Sequence, residues 1–149
     1  MNRSILLVED NPEDVRLTKR ALKRNNIANE LVVLTDGVEA LNYLIRASST
    51  EPGQPGSLPA VILLDLKLPR MDGLELLKEI RSHEQIRRLP VIILTSSKEE
   101  QDILKSYDLG ANSYVRKPVD FEQFIEAMRC LGLYWLLLNE PPPKTGGPA

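Results

Sequence analysis

Short runs of Ile, Leu and Val alternate along the chain with longer segments of helical periodicity. Ser4–Val8, Glu30–Thr35, Ala60–Asp65, Pro90–Thr95 and Ala111–Arg116 have the length and branching of strands. In three of them, Ile5–Val8, Val61–Leu64 and Val91–Leu94, the apolar run is unbroken, the pattern of parallel strands covered on both faces. The intervening helices carry start signals. Asn11-Pro12-Glu13-Asp14 supplies an N-cap, a first-turn proline and two acids that favour a helix N-terminus. Ser97-Lys98-Glu99-Glu100 is a capping box, and Asp120 followed by Gln123 opens the last helix more loosely. A second helix is expected from about Gly37 to Ala47 and a third from Gly73 to Ser82. Strand–helix alternation repeated five times predicts an α/β fold with a parallel sheet and right-handed crossovers.

Two segments interrupt this rhythm. Ser48–Pro59 is rich in Ser, Pro and Gly and reads as a surface loop. Glu140–Ala149 holds four prolines and two glycines and reads as a flexible tail. The expected organisation is one domain over residues 1–139 with a tail over 140–149, and no attached DNA-binding module.

Composition narrows the classes. With 149 residues, 42% apolar and 27% charged, the chain suits a single folded domain with a real core. A net charge of −2 gives no electrostatic reason to bind nucleic acid or an anionic membrane. The basic stretch Arg16–Arg24 reads as the solvated face of a helix. One cysteine, Cys130, excludes an intramolecular disulfide, and one histidine, His83, argues against a His-based metal site. Leu133–Leu138 is too short to span a bilayer, and no signal segment opens the sequence. These features point to a cytoplasmic protein.

The chemistry gathers where strands end, since functional groups of a parallel α/β sheet collect at the carboxyl ends of its strands. The first strand ends in Glu9-Asp10, the third in Asp65 and the fourth in Thr95-Ser96, and the fifth leads into Lys117-Pro118. Three carboxylates brought together need a counter-charge. A divalent cation supplies it, and magnesium favours one or two carboxylates plus water and phosphate. Asp10 and Asp65 are the expected direct ligands, with Glu9 acting through water. Asp65 is then the nucleophile toward phosphorus, Lys117 a second fixed cation, and Thr95 a hydroxyl donor to a phosphoryl oxygen. Taken singly, each residue has a plainer reading: Glu9-Asp10 as capping acids, Asp65 as a turn residue, Thr95 as a helix neighbour, Lys117 as a surface charge. Their joint placement at strand ends favours the chemical one.

The stretches Ile5-Leu6-Leu7-Val8-Glu9-Asp10-Asn11, Leu64-Asp65-Leu66-Lys67-Leu68-Pro69-Arg70-Met71-Asp72-Gly73, Leu94-Thr95-Ser96 and Tyr114-Val115-Arg116-Lys117-Pro118 together resemble the receiver domains of two-component response regulators. The resemblance spans about residues 3–138. It implies a flavodoxin-like, doubly wound, five-stranded parallel sheet in the order 2-1-3-4-5. It also implies that Asp65 accepts a phosphoryl group from a phosphohistidine of a sensor histidine kinase, with Mg²⁺ or Mn²⁺ held by Glu9, Asp10, Asp65 and the backbone carbonyl of Lys67. Thr95 and Tyr114 match the family's switch pair, and Lys117-Pro118 its lysine and following proline. Such a protein is no multi-turnover enzyme and catalyses only its own phosphotransfer and dephosphorylation. The switching surface is expected on the fourth helix, fifth strand and fifth helix. Lys67 and Ser97 occupy positions that tune hydrolysis of the acyl phosphate in the family, and a long cation at Lys67 predicts slow self-dephosphorylation.

Phe121, Phe124, Ile125 and Met128 repeat at helical spacing and should face the sheet. Beyond them Leu131, Leu133, Tyr134, Trp135, Leu136, Leu137 and Leu138 are apolar nearly all round, which predicts a partner surface. A symmetric homodimer involving Phe121, Leu133, Tyr134, Trp135 and Leu137 is the expected use. The Ser48–Pro59 loop and the ending from Tyr134 to Pro141 resemble single-domain regulators that pair with bacterial phytochrome kinases, which would make light the input.

Other classes fit less well. A haloacid-dehalogenase-like phosphatase needs a second acid two residues after its nucleophile, where this chain has Lys67. A flavodoxin-like cofactor binder needs a Ser/Thr/Gly phosphate loop after the first strand, where this chain has Glu9-Asp10-Asn11-Pro12. A structural pseudo-receiver would not need the intact set of acids, threonine and lysine. Within the receiver reading, a phosphorelay intermediate that passes its phosphoryl group to a histidine-containing carrier is the alternative role.

Overall fold

The computed structural model describes residues 4–24, 29–49, 58–95 and 107–116, and the helical backbone at 122, 126 and 129. Its strands are β1 (Ile5–Val8), β2 (Leu31–Leu34), β3 (Val61–Asp65), β4 (Val91–Thr95) and β5 (Ser113–Arg116). Between them run α1 (Pro12–Arg24), α2 (Gly37–Ser48) and α3 (Gly73–Ser82). All strand pairs are parallel, and the sheet runs β2-β1-β3-β4-β5. This is the parallel α/β sheet that the alternation of elements predicts. The capping box at Ser97, the opening of the last helix at Asp120 and the whole apolar ending fall outside the described residues.

The unbroken apolar runs have a direct structural cause. Successive strand residues point to opposite faces. Leu6, Val8, Ile62, Leu64, Val91 and Ile93 pack on the face covered by Ala40 and Leu44 of α2 and by Leu76, Leu77 and Ile80 of α3. Ile5, Leu7, Val61, Leu63, Ile92 and Leu94 pack on the other, with Leu22 of α1. Both faces are dry, so polar alternation never arises.

The helix starts follow their sequence signals. Asn11 caps α1, its Oδ1 accepting from the backbone N–H of Glu13 at 2.9 Å. Asp36 caps α2 through Glu39 N–H at 2.7 Å, and Asp72 caps α3 through Glu75 N–H at 2.9 Å. Basic residues of α1 lie on its solvent face: Lys19, Arg20 and Lys23 are exposed, and exposed Arg16 pairs with Glu13 one turn back. No described helix is long and apolar enough to cross a membrane.

At the opposite end of the sheet from the strand tips, Arg81 gathers the chain. Its guanidinium donates to the carbonyl oxygens of Gly110 (2.9 Å), Arg87 (2.9 Å) and Leu89 (2.7 Å), and to Oδ1 of Asn112 (2.9 Å). One side chain thus fastens the end of α3 to the starts of β4 and β5. Burial lowers its pKa from the usual arginine value, because the charged form loses solvent there.

Candidate functional site

The parallel register places the acids. Val8 of β1 stands opposite Leu64 of β3. The next residues along the two strands are Glu9 and Asp65, both buried, at 1% and 7% exposure. Asp10 follows Glu9 and is exposed. Oxygens of Glu9, Asp10 and Asp65 all lie within 4.8 Å of one another. At that spacing two unit negative charges repel by about 3 kcal/mol for an effective dielectric near 20. The backbone N–H of Asn11 donates to Oε2 of Glu9 at 3.2 Å.

Beside these acids opens a cleft of about 580 Å³ lined by Asp10, Leu66, Lys67, Leu68, Pro69, Asp72 and Leu74. The donor set is made entirely of oxygen, with one member facing solvent. Such a set fits a hard divalent cation that keeps part of its water shell, and does not fit a soft thiolate or imidazole metal. Glu9, Asp10 and Asp65 are the residues that would hold it.

The segment Leu66–Asp72, between β3 and α3, forms one wall of this cleft. Its base is closed by Gly73, whose N–H donates to the Leu66 carbonyl at 2.8 Å. A Cβ on Gly73 would fall 2.3 Å from the carbonyl oxygen of Asp65, so no larger residue fits there without moving the backbone of the acid itself. The tip turns sharply at Arg70. The N–H of Met71 donates to the Pro69 carbonyl at 2.7 Å, and Arg70 between them has φ of +64°. That combination is a tight three-residue turn with a non-glycine centre, a rare and strained arrangement.

The tip is tied to the start of α2. Arg70 donates from Nε (2.9 Å) and Nη2 (2.7 Å) to Oδ2 of Asp36, while Oδ1 of Asp36 caps the helix. The cap and the guanidinium both hold the Asp36 carboxyl below its ordinary pKa, the bond from Glu39 N–H being the largest cause. Gly37 adds a close approach: a Cβ there would sit 2.0 Å from the Met71 carbonyl oxygen. Asp36, Gly37 and Arg70 were not among the residues expected from sequence. The Asp36-Gly37 pair just ahead of an apolar-periodic run does mark a helix cap, but nothing in it points to Arg70.

The remaining expected site residues are placed less fully. Leu94 stands opposite Asp65, so Thr95 closes β4 one step beyond. Tyr114 lies in β5 opposite Ile93, and Arg116 opposite Thr95. The described geometry of Thr95 and Tyr114 is that of the backbone. Lys67 is exposed on the cleft wall. Lys117, Ser97, Phe121, Leu133, Tyr134, Trp135 and Leu137 fall outside the described residues.

The family model of the response regulator receiver domain matches residues 5–129. The chain belongs to the response regulator receiver family. As a receiver it resembles the bacteriophytochrome response regulator AtBRR, at 53% identity and a TM-score of 0.80 over 94% of this chain and 99% of that one. It resembles the phosphorylated cyanobacterial phytochrome response regulator RcpA at 39% identity and a TM-score of 0.71, over 91% and 95% of the two chains. Response regulator Rcp1 of Synechocystis sp. is 38% identical over 132 residues, 89% of this chain and 88% of that protein. The structure of its Mn²⁺-bound form superposes with a TM-score of 0.68 at 36% identity, over 94% of this receiver and 99% of that chain. The receiver is therefore related to phytochrome response regulators, with the flavodoxin-like parallel fold of its family.

Proposed function

We propose that this receiver takes a phosphoryl group onto Asp65 from a phosphohistidine of a sensor histidine kinase, and that the kinase is a phytochrome-type light sensor. The observation that carries the reading is the meeting of Glu9, Asp10 and Asp65 within 4.8 Å, with the acceptor at the end of a central strand. An Oδ atom of Asp65 attacks phosphorus, the N–P bond of the phosphohistidine breaks, and the imidazole leaves with a proton from solvent. The product is an aspartyl acyl phosphate. Mg²⁺ or Mn²⁺, as in the Mn²⁺-bound relative Rcp1, supplies charge neutralisation for the transferring group.

The chain's own residues do the rest. Asp10 lines the cleft next to buried Glu9, so the end of β1 presents negative charge beside the acceptor at the end of β3. Thr95 closes β4 one residue past the partner of Asp65, and by the family resemblance its hydroxyl donates to a phosphoryl oxygen. Lys117 supplies a fixed positive charge, and Tyr114 follows Thr95 as the switch on the fifth strand. The kinship with AtBRR and RcpA supports light as the input. The signal is a change of shape, and the only chemistry is the receiver's own phosphorylation and dephosphorylation.

Incubation with acetyl phosphate and Mg²⁺, followed by intact mass measurement, tests the acceptor. One added phosphoryl group is expected in wild type and none in Asp65→Asn. A mass gain that persists in Asp65→Asn, or none in wild type, overturns the assignment. The kinase is tested by transfer from a ³²P-labelled phytochrome kinase, whose label should move to this receiver within minutes and in proportion to the dark or light state of the donor.

A further inference from the structure

The acids and the cleft explain where a cation and a phosphoryl group go. They leave unexplained why a long, charged residue occupies the strained tip of the Leu66–Asp72 segment, where glycine would adopt φ of +64° without cost. The side chain gives the reason. Arg70 turns back and places two N–H groups on one oxygen of Asp36, a residue 34 positions earlier in the chain. Asp36 uses its two oxygens differently: Oδ1 holds the first turn of α2 and Oδ2 holds Arg70. Beneath this pair the N–H of Gly37 points at the Pro69 carbonyl at 3.5 Å, and the bare Cα of Gly37 admits the Met71 carbonyl.

The segment is thus anchored at both ends. Its base is fixed by Gly73 N–H on Leu66, its tip by Arg70 on Asp36. Lys67, whose backbone carbonyl the resemblance assigns to the cation, lies between the two anchors. We propose that Arg70 is a positioning residue: its clamp on Asp36 holds the Lys67 backbone in place for the divalent cation and so sets the metal affinity of the site. The inference rests on the cation-binding reading above and adds to it the residue pair that tunes that site from outside the ligand shell. Fixing a ligand-bearing backbone before binding lowers the ordering cost at the moment of binding.

Titration of the metal-free full chain with Mn²⁺ by calorimetry tests this. Arg70 is more than half exposed, so its pair with Asp36 is worth the modest energy of surface pairs, and loss of the clamp should weaken Mn²⁺ binding by up to about 5-fold. Arg70→Gly removes the clamp and relieves the backbone at once, so its melting temperature should stay close to wild type while its affinity falls. A pair that served stability alone would do the reverse. Asp36→Asn keeps a capping oxygen and should weaken binding to the same extent. The double variant should be no weaker than either single one, because both remove one interaction. Arg70→Lys should recover part of the affinity, since a point charge replaces a fork. The proposal is overturned if Arg70→Gly and Asp36→Asn bind Mn²⁺ as wild type does while Asp65→Asn does not bind it. If wild type binds no Mn²⁺, or Asp65→Asn binds it equally, the cation site itself is misassigned and the clamp proposal goes with it. Hydrogen exchange at the Met71 and Gly73 amides, faster in metal-free Arg70→Gly than in wild type, gives a readout independent of metal. Equal rates in the two proteins count against the clamp.

Discussion

Leu94 stands directly opposite Asp65 in the ladder between β3 and β4, which sets Thr95 one residue past the acceptor on the neighbouring strand tip. Under the proposed function a hydroxyl at that register assists the transferring phosphoryl group without being a member of the acid cluster. Thr95→Ala should therefore still gain one phosphoryl group on Asp65. Losing one hydrogen bond of about 1 kcal/mol should slow the gain by roughly 5-fold. Time-resolved intact mass measurement with acetyl phosphate checks this, and complete loss of phosphorylation would assign Thr95 to acceptor chemistry.

The three clustered carboxylates oppose one another until a cation arrives. Neutralising the solvent-facing one should relieve that repulsion. Asp10→Asn is expected to raise the melting temperature of the metal-free protein and to weaken Mg²⁺ binding by tenfold or more, on the order of one charge-assisted ligand. For wild type, Mg²⁺ at about 100 times its dissociation constant should add about 2.7 kcal/mol of stability, reversed by EDTA. Thermal melts with and without Mg²⁺ decide both points. An unchanged or lower metal-free midpoint in Asp10→Asn would mean that the cluster is not under charge strain.

Some of this was readable before any coordinates. Glu9, Asp10 and Asp65 were legible because each follows an unbroken apolar run, and a parallel sheet delivers run ends to one edge. The helix start at Asn11 was legible from local capping chemistry, and those at Gly37 and Gly73 from helical periodicity. The clamp was not, because Arg70 meets Asp36 only after the β1 and β3 strands have paired, and arginine carries no sequence sign of positive φ. Arg81 was equally silent, since its partners are mainly backbone carbonyls supplied by distant turns. The expectations for Phe121 and for Leu133 to Leu137 rest on sequence alone.

Asp36 should leave a mark on acid stability. Its carboxyl pKa is lowered from 3.8 by the bond from Glu39 N–H and by Arg70. A group depressed in the folded state contributes stability that is complete above the unfolded pKa and lost as pH falls through the folded one. The stability difference between wild type and Asp36→Asn should thus be constant above roughly pH 5 and should shrink below it. Urea unfolding at a series of pH values reads this directly. A difference that grows on acidification would have the wrong sign.

Arg81 separates fold from function. Truncating it leaves the carbonyls of Arg87, Leu89 and Gly110 and the Asn112 amide without their shared donor. Arg81→Ala should cost about 2–3 kcal/mol, and Arg81→Lys should recover little because ammonium lacks the planar fork. Arg81 and its partners lie at the far end of the sheet from the acids, so phosphorylation of the folded fraction at Asp65 should proceed at the wild-type rate. Urea midpoints and phosphorylation rates on the same preparations check the two halves. A large rate loss without destabilisation would place Arg81 in the switching mechanism.

Lys67 is proposed to set how long the signal lasts. It is exposed on the cleft wall next to Asp10 and forms no ion pair among the described residues, so its ammonium is available to a phosphoryl oxygen two residues from the acceptor. Hydrolysis requires water to approach phosphorus in line, opposite the Asp65 oxygen. A long cation resting on the phosphoryl group obstructs that approach and stabilises the acyl phosphate. Lys67→Asn should shorten its lifetime by roughly 5-fold, the scale of one solvent-facing charge contact of about 1 kcal/mol. Lys67→Met keeps the length and removes the charge, so a lifetime near wild type there would assign the effect to crowding, and one near Lys67→Asn to electrostatics. The measurement is decay of the phosphorylated mass after the donor is removed, at fixed Mg²⁺. If all three proteins decay at one rate, Lys67 points away from the phosphoryl group and has no part in timing the signal.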